Sequence, residues 1–188
     1  DTHRVIADNF RGAYEATQHL IQQGCLRIAH ITSSDSLSIT AERLAGYKQA
    51  LTDAGRPIDD SYIKFCLHGG MIREETYQAL AELLQLPERP DAILTASDRL
   101  STTTLTELRT MQIPIPCEIA LVGFTNSISA DIFNPSLTSV VQPALEMGQQ
   151  ATEMLISLIE SRRPITQFEK RVLDTRLQIR DSSQKRNC

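Results

Sequence analysis

Short runs of apolar and β-branched residues alternate along this chain with longer stretches in which apolar residues recur at helical spacing. Strands that alternate with helices of this length need crossover connections, which place the strands parallel and cover both faces of the sheet with helices. The alternation therefore predicts an α/β fold with a doubly wound, mostly parallel sheet. The predicted strands cover residues 5–7, 27–32, 62–67, 91–95 and 119–122, and the helical stripes cover 10–21, 41–54, 73–86 and 98–111.

Helix boundaries are marked by residues that suit helix ends. Asp8 precedes the first stripe and is suited to cap its N-terminus, and Gly24 and Gly55 follow the first two stripes, where a left-handed residue commonly ends a helix. The last third of the chain departs from the alternation. There, Pro143 opens a long apolar helix that we expect to end near residue 162, and residues 168–179 alternate like one long two-sided strand.

Composition narrows the function classes. At 188 residues the chain can form one core, or one lobe and part of another, and its formal charge of −4 lacks the positive excess of a nucleic-acid-binding domain. It contains neither an apolar run long enough to cross a bilayer nor an apolar signal segment behind its first residues. The four cysteines are widely spaced, which predicts reduced thiols and a cytoplasmic protein.

Signatures of catalysis are missing from the chain. It has no Gly-x-Ser-x-Gly elbow, no His-Glu-x-x-His motif, no phosphate-binding Gly-x-x-x-x-Gly-Lys loop and no paired metal-ligand cluster. We therefore expect binding without catalysis, no cofactor and no metal. An α/β enzyme with a convergent set of groups at the strand ends, such as Asp98, Asn126 and His68, remains a separate hypothesis.

Several short motifs follow one another in a characteristic order, and together they resemble the regulatory core of the LacI/GalR family of bacterial transcription regulators. Chance matches rarely arrive in the right order over about 140 residues, so their collinearity is stronger evidence than any one motif. The motifs are Asp8-Asn9 with Gly12-Ala13, His19-Leu20-Ile21 with Gly24, Arg27-Ile28-Ala29, Arg43-Leu44-Ala45-Gly46-Tyr47, Arg89-Pro90-Asp91-Ala92-Ile93, Ala96-Ser97-Asp98 and the segment 116–143.

The resemblance implies a two-lobed core like that of the periplasmic sugar-binding proteins, with a small-molecule effector between the lobes. By this comparison residues 1–142 form the second lobe, 143–167 a helix of the first lobe, 168–181 a returning strand and 182–188 a polar tail. The helix-turn-helix that reads DNA and most of the first lobe would precede residue 1. The resemblance also implies a cytoplasmic homodimer, for which we expect contacts around residues 101–109 and 131–135.

The residues expected to bind the effector lie at the carboxyl ends of the predicted strands, where loops of a parallel sheet converge on ligands. Arg43 matches the family's effector-contacting arginine, and its planar fork suits sugar oxygens or a carboxylate. The alternative is a surface arginine paired with Glu42 or with a neighbouring loop. Ser97 stands where the family usually has an asparagine that reaches the ligand, and Asp98 is either a ligand contact or only the helix N-cap.

Thr125 is the main departure from the family, which typically has an aspartate after Gly-Phe to accept two sugar hydroxyls. A threonine hydroxyl cannot accept in that way, so either the effector is not held as a typical sugar, or Asn126 or another carboxylate replaces the aspartate. Gln142 matches a family glutamine near the cleft, with a turn-capping or hinge role as the alternative. Met71 falls near the position of a ligand-stacking aromatic residue, although it is equally suited to filling a gap.

Two functions from neighbouring classes fit these observations. The first is the effector-sensing domain of a LacI-type regulator, which binds a sugar or sugar-like molecule and acts on DNA only through the absent helix-turn-helix. The second is a solute-binding protein of a sugar ABC transporter, which shares the fold but is exported and monomeric. The pattern at 43–47 and the expected thiols favour the regulator.

Overall fold

The computed structural model describes residues 2–34, 36–161 and 167–185. Its elements confirm the predicted alternation of strands and helices. In chain order they are β1 (Arg4–Ala7), α1 (Asn9–Gln22), β2 (Ile28–Thr32), α2 (Ser38–Asp53), β3 (Ile63–Phe65), α3 (Arg73–Gln85), β4 (Ala92–Thr95), α4 (Asp98–Thr110), β5 (Ala120–Phe124), β6 (Thr138–Val141), α5 (Ala144–Glu160), β7 (Lys170–Leu173) and β8 (Arg176–Gln178).

A six-stranded sheet forms the centre of the fold, with the order β3-β2-β4-β5-β6-β8. Its strand pairs are parallel except for β6 with β8, where Val140 lies opposite Leu177 in an antiparallel register. Buried apolar residues cover both faces of the sheet. Residues of α1 and α2, including Leu20 and Leu51, pack on one face, and residues of α3 and α4, including Leu80 and Leu108, pack on the other. The predicted doubly wound α/β class is therefore confirmed.

Close contact between α1 and α2 depends on Gly46. A Cβ atom at this position would lie 2.1 Å from the carbonyl oxygen of Phe10, so a larger residue would force the two helices apart. The next residue, Tyr47, is fully buried and donates a hydrogen bond from its hydroxyl to the Ile28 carbonyl, 2.7 Å away. The Gly46-Tyr47 pair thus fixes α2 against both α1 and the first central strand, which sets the position of Arg43 one turn earlier.

Two predictions for the chain's edges differ from the structure. β1 does not enter the large sheet; it pairs with β7 in a separate two-stranded parallel sheet, on which α5 packs. The long strand predicted for residues 168–179 is in fact two strands in two different sheets, separated at Asp174 and Thr175. Alternating side chains indicate an extended backbone, but they do not show which strand will pair with it. β6 was also not predicted, since its pairing with β5 and β8 is likewise not visible in its own residues.

Helix ends and cysteines follow the predictions in part. The Asp8 carboxylate accepts a hydrogen bond from the Arg11 amide at 2.9 Å, and Gly24 and Gly55 adopt positive φ angles of 87° and 68° after α1 and α2. Cys25 and Cys66 are free and buried. Cys117 is disulfide-bonded, so the prediction of four reduced thiols is wrong for this residue.

Candidate functional site

A surface depression of about 530 Å³ lies where the carboxyl ends of β4, β5 and β6 face the start of α2. Six of the seven residues predicted to bind a ligand line it. This placement follows from topology, because the carboxyl ends of parallel strands meet at one edge of the sheet. The lining residues are Ile39, Arg43, Ser97, Asp98, Phe124, Thr125, Asn126, Ser127 and Gln142.

Arg43 is the central cation of the depression and is only 5% exposed. Its Nε and Nη2 donate to the side-chain oxygen of Asn9 at 3.0 and 2.8 Å, and its Nη1 donates to the carbonyl of Ala96. The Asn9 amide is oriented in turn, since its nitrogen donates to the Ala7 carbonyl and to Glu42 at 3.1 and 3.0 Å. The alternative of a surface arginine paired with Glu42 is therefore wrong.

The charge of Arg43 is preserved in this buried position. Burial lowers the pKa of the guanidinium from its ordinary value to about 10, while the nearby Glu42 carboxylate acts in the opposite direction. The group is thus protonated at neutral pH. It lies over the Phe124 ring at 3.9 Å from the ring centroid, which supports a cation without desolvating a counter-charge. Of its five N–H donors, three bind described residues, and two have no partner in that part of the chain and are left for a ligand.

The N-terminus of α4 differs from one prediction. The N-cap is Ser97, whose hydroxyl oxygen accepts from the Leu100 amide at 3.3 Å, and Asp98 is the first helical residue. The prediction that Asp98 serves only as the N-cap is therefore wrong. Because the Ser97 oxygen accepts from the backbone, its O–H remains a donor that can turn toward the depression.

Thr125 and Asp98 form a pair at the rim. The Thr125 hydroxyl donates to Oδ1 of Asp98, and its oxygen accepts from the Ser127 amide at 2.9 Å. Thr125 is 4% exposed, so its single hydroxyl is consumed inside the protein, whereas Asp98 is exposed. The carboxylate that the threonine lacks is thus supplied next to it by another strand end.

Asn126 and Gln142 join the ends of β5 and β6. The Asn126 side chain donates to the Gln142 carbonyl at 2.7 Å and accepts from the Gln142 amide at 2.9 Å. This reciprocal pair occupies the Asn126 amide oxygen and one of its two N–H donors. The Gln142 side-chain amide makes no hydrogen bond to the described residues, so it is available to a ligand.

Met71 is the predicted residue that the depression leaves out. It is 65% exposed and lies in the turn before α3, where its amide donates to the His68 carbonyl at 3.1 Å. Its role in ligand binding stays a prediction. Sequence reasoning in turn missed Asn9, Phe124, Ile39 and Ser127 as site residues. Asn9 and Phe124 stand inside the quoted motifs, but nothing local shows that they hold Arg43.

What the arrangement offers a ligand is a mixed polar surface around one buried cation. With respect to the described residues, donors remain unused on Arg43, Ser97, Asn126 and Gln142, and acceptors remain unused on Asp98 and Gln142. Ile39, 39% exposed, adds an apolar wall. Such a set of convergent hydrogen-bonding groups on a rigid frame suits a small polar molecule. Among the described residues, no cluster of histidine, cysteine or acidic side chains could hold a metal ion.

The comparisons with known proteins agree with this fold. Residues 17–183 match the family described as a periplasmic binding protein-like domain. A curated relative, the HTH-type transcriptional regulator CelR of Thermobifida fusca, is 34% identical over 180 residues, which are 95% of this chain and 51% of the relative. The chain spans about half the length of the curated relatives it matches.

Solved structures give the same assignment. The transcriptional regulator CelR–cellobiose complex matches with a TM-score of 0.86 and 32% identity, covering 96% of this chain and 54% of that one. A regulatory protein of the LacI family from Chloroflexus aggregans matches with a TM-score of 0.86 and 29% identity, covering 97% and 64%. The chain belongs to the periplasmic binding protein-like domain family, and the proteins that it resembles include transcriptional regulators of the LacI family. In the part of the chain that the structure describes, every helix is too short or too polar to cross a bilayer.

Proposed function

We propose that this chain is the effector-sensing domain of a LacI-type transcriptional regulator and binds a sugar or sugar-like molecule in the depression around Arg43. The observation that carries the proposal is the buried guanidinium of Arg43, which Asn9 and the Ala96 carbonyl hold beneath a surface of unsatisfied polar groups. Holding a charge in place and leaving two of its donors unused lowers the cost of binding a ligand. The relative solved with cellobiose supports a sugar as the class of ligand.

The mechanism that we propose is a population shift between lobe arrangements. The depression is open on one side, as expected of one wall of a cleft whose other wall is a facing lobe. A ligand that contacts both walls favours one angle between the lobes, and this angle reaches a DNA-reading helix-turn-helix elsewhere in the full-length protein. The regulator would act in the cytoplasm, where DNA and effector meet.

Each predicted site residue has a defined part in this proposal. Arg43, Ser97, Asp98 and Gln142 contact the ligand directly, because each retains an unused donor or acceptor in the depression. Thr125 acts through its neighbour Asp98. Asn126 holds the Gln142 backbone and keeps one N–H donor that contacts the ligand. Met71 is proposed to contact only a ligand that extends beyond the depression.

A thermal-shift panel tests the proposal. The full-length protein is screened with neutral sugars, sugar phosphates and purines, because a specific ligand raises the melting temperature by mass action. Arg43→Ala should abolish the shift produced by a hit, with at least about a 100-fold loss of affinity for a buried charged donor. Arg56→Ala is the matched control: Arg56 donates to the Cys25 and Leu26 carbonyls and lies outside the depression, so the shift should persist.

Two outcomes would reject the proposal. If Arg43→Ala retained the full shift, the ligand would bind elsewhere. If the full-length protein bound no member of the panel, the assignment to small-molecule sensing would fail. The relatives that support the proposal are transcriptional regulators, which favours this function over a transport protein or an enzyme.

We also propose a homodimer that uses the surface beside the site. Ile128 and Ile132 are 91% and 81% exposed, and Thr106 and Arg109 face outward on the neighbouring α4. Exposed branched apolar side chains of this kind mark contact surfaces. Replacing both isoleucines with aspartate should shift the protein from dimer to monomer in analytical ultracentrifugation. Leu26→Asp, at another residue 65% exposed, should leave the dimer intact; equal dissociation by both variants would contradict the proposed surface.

A further inference from the structure

Asp98 is the single carboxylate among the residues that line the depression, and its two oxygens have different surroundings. Oδ1 accepts the hydrogen bond of the Thr125 hydroxyl, whereas Oδ2 makes no hydrogen bond to the described residues. The carboxylate stands in the first turn of α4, where the aligned peptide dipoles stabilise a negative charge. One oxygen is therefore held by the protein, while the other remains available on a side chain that lines the depression.

The Thr125 hydroxyl has only one direction in which to donate. Its oxygen already accepts from the Ser127 amide at 2.9 Å, which leaves the hydroxyl proton for Asp98. Because Thr125 is 4% exposed, water competes little for that proton. Thr125 thus keeps the Asp98 side chain in one orientation, and this lowers the entropy that a ligand would otherwise lose in ordering it.

Charge decides which ligands suit this arrangement. The lining residues include one cation, Arg43, and one anion, Asp98, so the ligand-facing charge of the site is balanced. Most donors of Arg43 are already used inward, by Asn9 and the Ala96 carbonyl. A phosphate or carboxylate ligand would find few free donors and would be repelled by Asp98. A pair of neighbouring hydroxyl groups would instead donate to the carboxylate and accept from the remaining donors.

We infer that Asp98, oriented by Thr125, makes this site select neutral polyhydroxylated ligands over their phosphorylated or carboxylated counterparts. The inference rests on the proposed ligand site and adds its selectivity. Asp98 contacts the ligand, and Thr125 is a positioning residue that acts through it. The proposed selectivity therefore depends on two residues, Asp98 and Thr125, which follow different strands and are 27 residues apart in the chain.

The experiment compares matched probes on the full-length protein. Glucose, galactose, ribose and cellobiose are titrated beside glucose 6-phosphate, galactose 1-phosphate, ribose 5-phosphate and glucuronate, with Kd measured by calorimetry. The unmodified protein should bind at least one neutral sugar and bind the charged probes more weakly. Asp98→Asn should weaken the neutral ligand by about 10- to 100-fold, as expected for a lost charged hydrogen-bond acceptor, and should reduce the preference over the phosphate by at least about tenfold.

Thr125 variants separate positioning from a purely structural role. Thr125→Val keeps the side-chain shape but removes the hydroxyl, and we expect an affinity loss of about 3- to 10-fold with a reduced preference for the neutral ligand. Thr125→Ser keeps the hydroxyl and should restore both affinity and preference to within about twofold. Melting temperatures without ligand report any change in folding independently.

The results distinguish this inference from the proposed function. Tighter binding of the phosphorylated probes, or an unchanged preference in Asp98→Asn, would overturn the inference while leaving a functional ligand site at Arg43. Affinity loss in Thr125→Val that Thr125→Ser fails to restore would overturn the role of Thr125. Binding of none of the probes would reject the inference together with the proposed sugar ligand.

Discussion

Two clusters of polar side chains on the same sheet are built in contrasting ways. We define the open cluster as Asn9, Arg43, Asp98 and Thr125, at the carboxyl ends of the strands, and the closed cluster as His19, Thr138, Ser182 and Ser183, which joins α1, β6 and the C-terminal segment. All members are buried except Asp98. They differ in how completely the hydrogen-bonding capacity of each side chain is used.

In the closed cluster each hydroxyl has partners on both sides. The Ser182 hydroxyl donates to the Leu121 carbonyl at 2.7 Å and accepts from the Thr138 amide at 2.8 Å. Ser183 lies 2.7 Å from both the Thr138 hydroxyl and His19 Nε2. A buried network satisfied in this way fixes one arrangement of the chain, because breaking any bond leaves an unpaired polar group.

In the open cluster the inner polar groups are also hydrogen-bonded, but some groups near the surface are not. Asn9 holds the guanidinium from below, but two donors of Arg43 and one oxygen of Asp98 remain without partners among the described residues. The comparison teaches that burial of polar groups alone does not indicate a binding site. The unused capacity that faces a depression distinguishes the two clusters.

Lowering the pH should produce the largest effect, because one buried histidine lies close to Arg43 of the open cluster and another belongs to the closed cluster. His30 is fully buried, and burial lowers its pKa from 6.5 to about 4, with a further decrease from the Arg43 charge. Burial also lowers the pKa of His19 in the closed cluster. In both cases the histidine has a lower pKa in the folded than in the unfolded chain, so it is protonated first in the unfolded chain. Stability therefore falls as pH falls below about 6.5.

The His30 contribution amounts to about 3 kcal/mol between pH 6.5 and 4. Urea unfolding across this range measures it. His30→Phe keeps a ring against Tyr47, which stacks on the imidazole at a centroid distance of 5.0 Å, and should remove this part of the pH dependence. If the free energy of unfolding of the variant changed with pH as steeply as that of the unmodified protein, His30 would not be the source of this pH dependence.

Thr138→Val should have the next largest effect and sharpens the contrast between the clusters. The substitution removes the hydroxyl that bonds to Ser183 and to the Arg180 backbone, at 2.7 to 2.9 Å, and should lower the free energy of unfolding by about 2 kcal/mol. Ligand affinity should not change, since Thr138 lies outside the depression. Thr138→Ser is the control and should stay within about 1 kcal/mol. If Thr138→Val weakened ligand binding without lowering stability, the distinction between a stabilising closed cluster and a ligand-binding open cluster would be wrong.

Much of the fold could be predicted because its signals are local. Periodicity alone located β2, β4, β5 and the helices that follow β1, β2, β3 and β4, and Asp8 marked the start of α1. The errors fell on β6, β7 and β8, whose membership of a sheet depends on partners far away in the chain. Val140, for example, is extended because it lies between Phe124 and Leu177, and no feature of its own neighbourhood requires this.

The site shows the same division between what is local and what is not. Strand ends, and the motifs resembling a known family, were enough to predict seven ligand-binding residues, six of which are among the nine that line the depression. Their roles required long-range geometry. Arg43 binds Asn9 rather than Glu42, Ser97 replaces Asp98 as the cap, and Thr125 is paired with a carboxylate from another strand end.

The sequence by itself determined the α/β class, the edge of the sheet where polar residues collect and the family to which these motifs belong. These properties follow from periodicity, residue type and order along the chain, which can be read from the sequence without knowing which distant residues are in contact. Only the tertiary structure decided which polar groups are consumed inside the protein and which remain for a ligand. The reason is that the deciding hydrogen bonds form between residues that come into contact only after folding, such as Arg43 with Asn9 and Thr125 with Asp98.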